Sequence, residues 1–138
     1  NERAAIQAGK LRYHSIYIKE DFTFETVLAS RHKLNILEKA KAEGYFIECI
    51  FVLTVDPSVN VARVSARVAF GGHDVEERLI RERYYQSLDN IKKLLEICDI
   101  VHVYDNTEEP VRIIKKHKED ISIFPNDLWT EERILSLL

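Results

Sequence analysis

From Tyr45 to Val55 the chain is almost continuously apolar, interrupted mainly by Glu48, and rich in Ile, Phe and Val. Such a run suits a strand covered on both faces, as in the middle of a parallel sheet. Asp56-Pro57 follows and predicts a helix start, because Asp caps free amides and Pro is tolerated at the first helical position. Val61, Val64 and Val68 mark one face of that helix, which ends before Gly71-Gly72. Asp74 and Glu77 have the spacing of a capping pair for a further helix carrying Leu79, Ile80, Tyr84, Leu88, Ile91, Leu94 and Leu95. Upstream, mixed apolar spacing over Glu2 to Lys19 predicts a helix weakened by Gly9, and Phe22 to Val27 alternates as a short strand does. Ser30 to Glu43 has helical spacing with Gly44 as its stop. Downstream, Ile100 to Tyr104 is a short strand closed by Asp105-Asn106-Thr107. Val111 to Phe124 predicts two strands around Lys116 to Asp120, and Thr130 caps a last helix.

Strands alternating with helices imply crossover connections and an α/β fold with a mostly parallel sheet. Only three good parallel candidates are visible, so the sheet is short of strands and its exposed edges are a liability. No repeat, linker or low-complexity tract divides the 138 residues, which fit a single domain of ordinary size. A hydrophobic share of 46% and a charged share of 31% describe a soluble globular chain. No apolar run approaches the roughly 20 residues of a membrane span, and Asn1 to Lys10 carries no secretory signal, which makes the cytoplasm the expected location. Cys49 and Cys98 lie in apolar surroundings like buried free thiols, and the histidines are scattered singly, so no metal site is expected. A formal charge of −3 gives no broad basic field for nucleic acid.

The basic residues matter by position. Arg63, Arg67, Gly71, Gly72, His73, Asp74, Arg78, Arg81 and Arg83 form a cationic helix–turn–helix hinged on two glycines, an element able to fold over polyphosphate. Arginine's planar fork donates to two phosphate oxygens at once and keeps its charge. The alternative is a pair of solvated helix faces in which Glu76, Glu77 and Glu82 pair with these arginines. Glu25, a carboxylate at a strand end with the Thr26 hydroxyl beside it, points to the crevice where α/β folds bind ligands. There it would orient a substrate hydroxyl or, less simply, take its proton; otherwise it is a surface acid. Asp105-Asn106 closes a strand at the same edge and either touches a nucleotide base or makes an Asx turn, with the turn the better fit. Tyr84, Tyr85 and Trp129 read as core aromatics. No Gly-x-x-x-x-Gly-Lys-Ser/Thr phosphate loop occurs, and no serine lies in a nucleophile-elbow sequence.

Taken together, Phe24-Glu25-Thr26-Val27-Leu28-Ala29-Ser30-Arg31, Ala40 to Tyr45, Asn60 to Val68, Gly71-Gly72-His73-Asp74-Val75, Ile80-Arg81-Glu82-Arg83-Tyr84 and Tyr104-Asp105-Asn106 resemble the zeta-toxin-like P-loop kinases from about Ala4 onward. The resemblance implies a three-layer P-loop kinase fold whose first strand and phosphate loop would precede Asn1. It also implies Mg-ATP as donor and a sugar nucleotide such as UDP-N-acetylglucosamine as acceptor. By the same resemblance Arg63, Arg67, Arg81 and Arg83 are the candidate catalytic arginines of a lid over about residues 63–83. Glu25, Thr26, Arg31 and His73 are the candidate acceptor contacts, and Asp105 and Asn106 the candidate nucleotide contacts. Val27 stands where many relatives carry threonine, and His73 where better-known toxins carry arginine. An antitoxin is the implied protein partner, with neither nucleic acid nor membrane. Without a phosphate loop this chain alone should not bind ATP tightly. The alternative function is a catalytically inactive binding or antitoxin-interaction module.

Overall fold

The computed structural model describes residues 2–138. Its elements are helices α1 (Glu2–Ile18) and α2 (Arg31–Ala42), strand β1 (Glu48–Leu53), helices α3 (Pro57–Ala69), α4 (Glu77–Asp89) and α5 (Ile91–Ile97), strands β2 (Ile100–Asp105), β3 (Val111–His117) and β4 (Asp120–Ile123), and helix α6 (Glu131–Leu135). The four strands form one sheet in the order β1-β2-β3-β4. β1 and β2 run parallel, in register from Glu48 opposite Ile100 to Leu53 opposite Asp105. The pairs β2–β3 and β3–β4 are antiparallel. The sheet is therefore mixed, with one parallel pair, rather than mostly parallel.

The strand expected over Phe22 to Val27 is irregular backbone that pairs with no strand among the described residues. Its alternation has another cause. Phe22 and Phe24 stack on each other at 6.2 Å, Phe22 meets Tyr45 edge-on at 5.8 Å, and the Arg12 guanidinium lies 4.6 Å over Phe24. Both rings pack against the core. A period of two reports which way side chains point, and says nothing about where the backbone finds its hydrogen bonds.

One face of the sheet is built into the core. Phe51, Leu53, Val101, Val103, Ile113 and Ile114 join Leu34, Ile36, Ile91, Leu94, Leu95, Trp129 and Ile134 in a single buried cluster. The other face of β1 is bare: Ile50 is 65% exposed and Val52 57%. The double-sided cover expected from the apolar run is absent there, and the expected third layer does not lie over this row among the described residues. An apolar run does not itself distinguish a covered face from an open one.

The helix ends follow local chemistry. The Asp56 carboxylate accepts from Ser58 N at 2.8 Å with Pro57 in the first turn, and Thr130 Oγ1 accepts from Arg133 N at 3.2 Å. Asp74 does not cap α4. Its N-cap is Glu76, without a side-chain bond, because the helix begins at Glu77 and the Glu77 carboxylate is engaged with Arg81. The single long helix expected beyond it is divided at Asn90, whose side-chain amide donates to Leu28 O at 2.8 Å and so ties the break to the segment before α2. Two lysines answer the free carbonyls at the end of α5: Lys41 Nζ donates to Glu96 O at 2.9 Å, and Lys116 Nζ to Cys98 O at 2.6 Å and to Leu95 O.

Candidate functional site

The parallel strands β1 and β2 finish side by side, where α/β sheets place their ligands. Thr107 Oγ1 joins the two ends, accepting from Val55 N at 2.8 Å and donating to Asp105 Oδ1 at 2.5 Å. Asp105, almost wholly buried, also accepts from Thr107 N at 3.1 Å. Its carboxylate is thus occupied by the Asx turn. Thr54, equally buried, donates to Asp56 O at 3.1 Å and is in hydrogen-bond contact with Asn60 Oδ1. The Ser58 hydroxyl and amide hold the Asp56 carboxyl below its usual range.

Helices α3 and α4 pack against each other beside this edge. Arg63 Nη2 donates to Asn106 O at 2.6 Å and Thr107 O at 3.0 Å, fastening α3 to the loop after β2. Tyr84 Oη donates to Thr54 O at 2.6 Å and fastens α4 to the end of β1. Arg133, whose guanidinium lies 4.1 Å over the Trp129 ring, donates to Val55 O and brings the C-terminal segment to the same place.

The turn between the lid helices needs its glycines. Gly71 has φ +90°, which L side chains rarely adopt, and a Cβ on Gly72 would meet Arg67 O at 2.9 Å, the carbonyl to which Gly72 N donates at 2.8 Å. His73 and Asp74 lie exposed in the same turn.

The four candidate catalytic arginines separate cleanly by partner. Arg63 is fastened to the β2 loop. Arg81 pairs with Glu77 through Nη2 at 2.9 Å, and neighbouring Arg78 pairs with Glu82 at 2.6 Å, as the solvated-face alternative anticipates. Arg67 and Arg83 are exposed and have no hydrogen-bond or ion-pair partner among the described residues.

Glu25 and Thr26 are exposed on the irregular segment after α1, and Arg31 is exposed at the first position of α2. Thr26 Oγ1 donates only locally, to Val27 O at 3.3 Å. Leu28, just after this segment, accepts from the Asn90 side chain between α4 and α5. An open cleft of about 540 Å³ adjoins the β2 end, lined by Asp105, Glu108, Glu109, Asp127 and their neighbours. Its four carboxylates repel phosphate, so this cleft and the cationic lid are different surfaces.

The family model described as Zeta toxin matches residues 4–127. The chain belongs to the Zeta toxin family. An uncharacterized protein of Haemophilus influenzae is 29% identical over 85 residues, covering 59% of this chain and 61% of that protein. The chain thus spans about three fifths of the length of this curated relative. No solved structure matches it. Among the described residues of this Zeta toxin family chain, no helix is long and apolar enough to cross a membrane.

The residues that assemble the edge were not all legible as site residues. Thr54, Thr107 and Arg133 carry no motif, and Tyr84 reads from sequence only as a core aromatic. In this Zeta toxin family chain burial pushes the Tyr84 hydroxyl up to about 12, against roughly 10 for an unperturbed tyrosine. The raised value means that the folded state favours the protonated phenol. The stability it lends is whole below about pH 10 and is lost as pH rises through about 12. Tyr84→Phe should remove that alkaline loss and lower stability at neutral pH by about 1 kcal/mol, read from urea midpoints at neutral pH and near pH 11.

Proposed function

We propose that the chain is part of an ATP-dependent small-molecule kinase that transfers the γ-phosphate to a hydroxyl of a sugar nucleotide such as UDP-N-acetylglucosamine. Membership of the Zeta toxin family supports this reading. The observation that carries it is the pair Arg67 and Arg83: two exposed guanidiniums with no partner among the described residues, on helices joined by the Gly71-Gly72 turn, among neighbours that are already paired. A phosphoryl group in flight spreads negative charge over its equatorial oxygens, and free guanidinium forks meet that charge without first breaking a bond.

In this reading Arg67 and Arg83 close on the transferred group, Arg63 and Tyr84 hold the two lid helices to the strand ends, and Glu25 orients the acceptor hydroxyl, with Thr26, Arg31 and His73 as further acceptor contacts. Asn106 lies beside the nucleotide, while Asp105 shapes its loop. No Gly-x-x-x-x-Gly-Lys-Ser/Thr pattern occurs in the sequence, so in this reading these residues supply no phosphate-loop grip on the β- and γ-phosphates. Nor do the described residues offer a group of three His, Cys, Asp or Glu side chains that could hold a metal ion.

Two binding measurements test the assignment. The 138-residue chain should show no saturable Mg-ATP binding at micromolar concentration; clear saturation would contradict the missing cradle. Glu25→Ala should weaken UDP-N-acetylglucosamine binding roughly tenfold, the worth of one hydrogen bond to a charged group, and unchanged affinity would remove Glu25 from the acceptor site.

A second reading, a binding or antitoxin-interaction module without turnover, draws on a different observation. The bare Ile50 and Val52 row belongs to β1, an edge strand of the sheet, and such an edge accepts a strand from a partner.

A further inference from the structure

Alternate positions of β2 divide between the two faces of the sheet. Val101, Val103 and Asp105 are buried, whereas Ile100, His102 and Tyr104 are only partly covered and point the other way. Register carries this second face across the strands. His102 stands opposite Lys115 and Tyr104 opposite Arg112, while Lys115 stands opposite Ser122 and His117 opposite Asp120. The core cluster lies on the opposite face, where Val101, Val103, Ile113 and Ile114 join it.

Three features of this face match one class of ligand. The first is aromatic. Tyr104 stands outside the core cluster, and Phe124 is 39% exposed with the Arg112 guanidinium 5.2 Å over its ring. Arg112 Nη1 also lies 3.3 Å from His102 Nδ1. An arginine only donates, so Nδ1 accepts and the imidazole proton sits on Nε2, toward Glu48 Oε1 at 3.6 Å. The guanidinium is thereby held between His102 and Phe124.

The second feature is cationic. Lys115 and His117 are exposed on β3, and their side chains have no hydrogen-bond or ion-pair partner among the described residues. The third is the acid beside them: Asp120, equally without a partner among the described residues, lines with Lys115, His117 and Ser122 an open concavity of about 240 Å³. Aromatic faces flanked by cations suit bases strung on a phosphate backbone. A duplex hides its base faces, so the strand must be single. Asp120 decides the sugar, because a carboxylate repels phosphate but accepts from a ribose 2′-hydroxyl, which DNA lacks. The net charge of −3 does not oppose such a ligand, since the cations are gathered along β3.

We propose that the open face of β2, β3 and β4 binds single-stranded RNA. Bases stack on Tyr104 and Phe124, phosphates lie against Arg112, Lys115 and His117, and a ribose hydroxyl donates to Asp120. This face shares no residue with the lid and is independent of the kinase reading.

Fluorescence anisotropy of the 138-residue chain with a labelled single-stranded RNA of about ten nucleotides tests the proposal. Saturable binding is expected at micromolar concentration in low salt, with several-fold weaker binding of DNA of the same sequence and none of duplex RNA. The logarithm of affinity should fall against the logarithm of salt with a slope of about −1.4, for the two full cations Arg112 and Lys115 on a single strand. Tyr104→Ala should weaken binding about tenfold. Lys115→Glu, at an exposed position whose folding is checked by circular dichroism, should abolish saturation, and Asp120→Ala should erase the preference for RNA over DNA. Absence of saturable RNA binding, equal binding of DNA by the unsubstituted chain, or binding that survives Lys115→Glu and is lost instead in Arg67→Ala would each overturn it.

Discussion

In a complete version that carries a phosphate loop, Arg67→Ala should lower the turnover of ATP-dependent phosphorylation by about a thousandfold or more while leaving the acceptor KM nearly unchanged. The split follows from where the charge is. An unpartnered guanidinium that meets the phosphoryl group chiefly in the transition state contributes to kcat, whereas a group binding ground state and transition state alike moves KM. Arg83→Ala should behave in the same way. Arg67→Lys should recover part of the loss, since it keeps the charge and gives up the two-pronged fork. Arg81→Ala should cost far less, because the Arg81 guanidinium is already engaged by Glu77 on a helix surface. Arg63→Ala should declare itself differently, by loosening α3 from the Asn106 and Thr107 carbonyls and lowering stability. Unchanged turnover in both Arg67→Ala and Arg83→Ala would remove the lid from the chemistry.

Trp129→Ala should destabilise the fold by about 3–5 kcal/mol, measured by circular dichroism in urea because the substitution removes the chain's only tryptophan. Trp129 is 1% exposed and sits in the common core. Its backbone is fixed by Asn126, whose side-chain oxygen accepts from Leu128 N and Trp129 N, both at 2.9 Å, while Asn126 N donates to Trp129 O. Loss of the ring leaves a cavity and removes the face on which Arg133 rests as it reaches Val55 O. Trp129→Phe should cost much less. The indole Nε1 is buried without a hydrogen-bond partner among the described residues, so phenylalanine gives up packing but also removes an unsatisfied donor. Equal losses for the two substitutions would show that the ring's size alone is not what the site requires.

The sequence carried the parts of the fold that local chemistry decides. Asp56-Pro57 and Thr130 start their helices because a side-chain oxygen next to free amides caps them wherever the helix later packs. The hairpin of β3 and β4 turns close to where its polar break stands. What failed depended on distant partners. Phe22 and Phe24 alternate as in a strand yet satisfy Tyr45 and Arg12 instead of a neighbouring strand. The helix carrying Leu79 to Leu95 divides at Asn90, where a side-chain bond crosses to Leu28. The i,i+4 pairs Glu77–Arg81 and Arg78–Glu82 could be counted in advance, and they separate paired from unpaired lid arginines on α4. Arg63 could not be sorted in this way, because its carbonyl partners lie beyond α5 and β2. The bare side of β1 was likewise hidden, since Ile50 and Val52 are as apolar as the buried Phe51 and Leu53 between which they alternate.

The most direct test of the kinase reading is transfer of labelled γ-phosphate from Mg-ATP to UDP-N-acetylglucosamine by the gene product isolated from its source cells, with the product analysed for a phosphomonoester on the sugar. The account predicts one phosphate added to a sugar hydroxyl, with turnover that collapses in Arg67→Ala. Label found only in inorganic phosphate or left in ATP, across this and other nucleotide sugars, would contradict it.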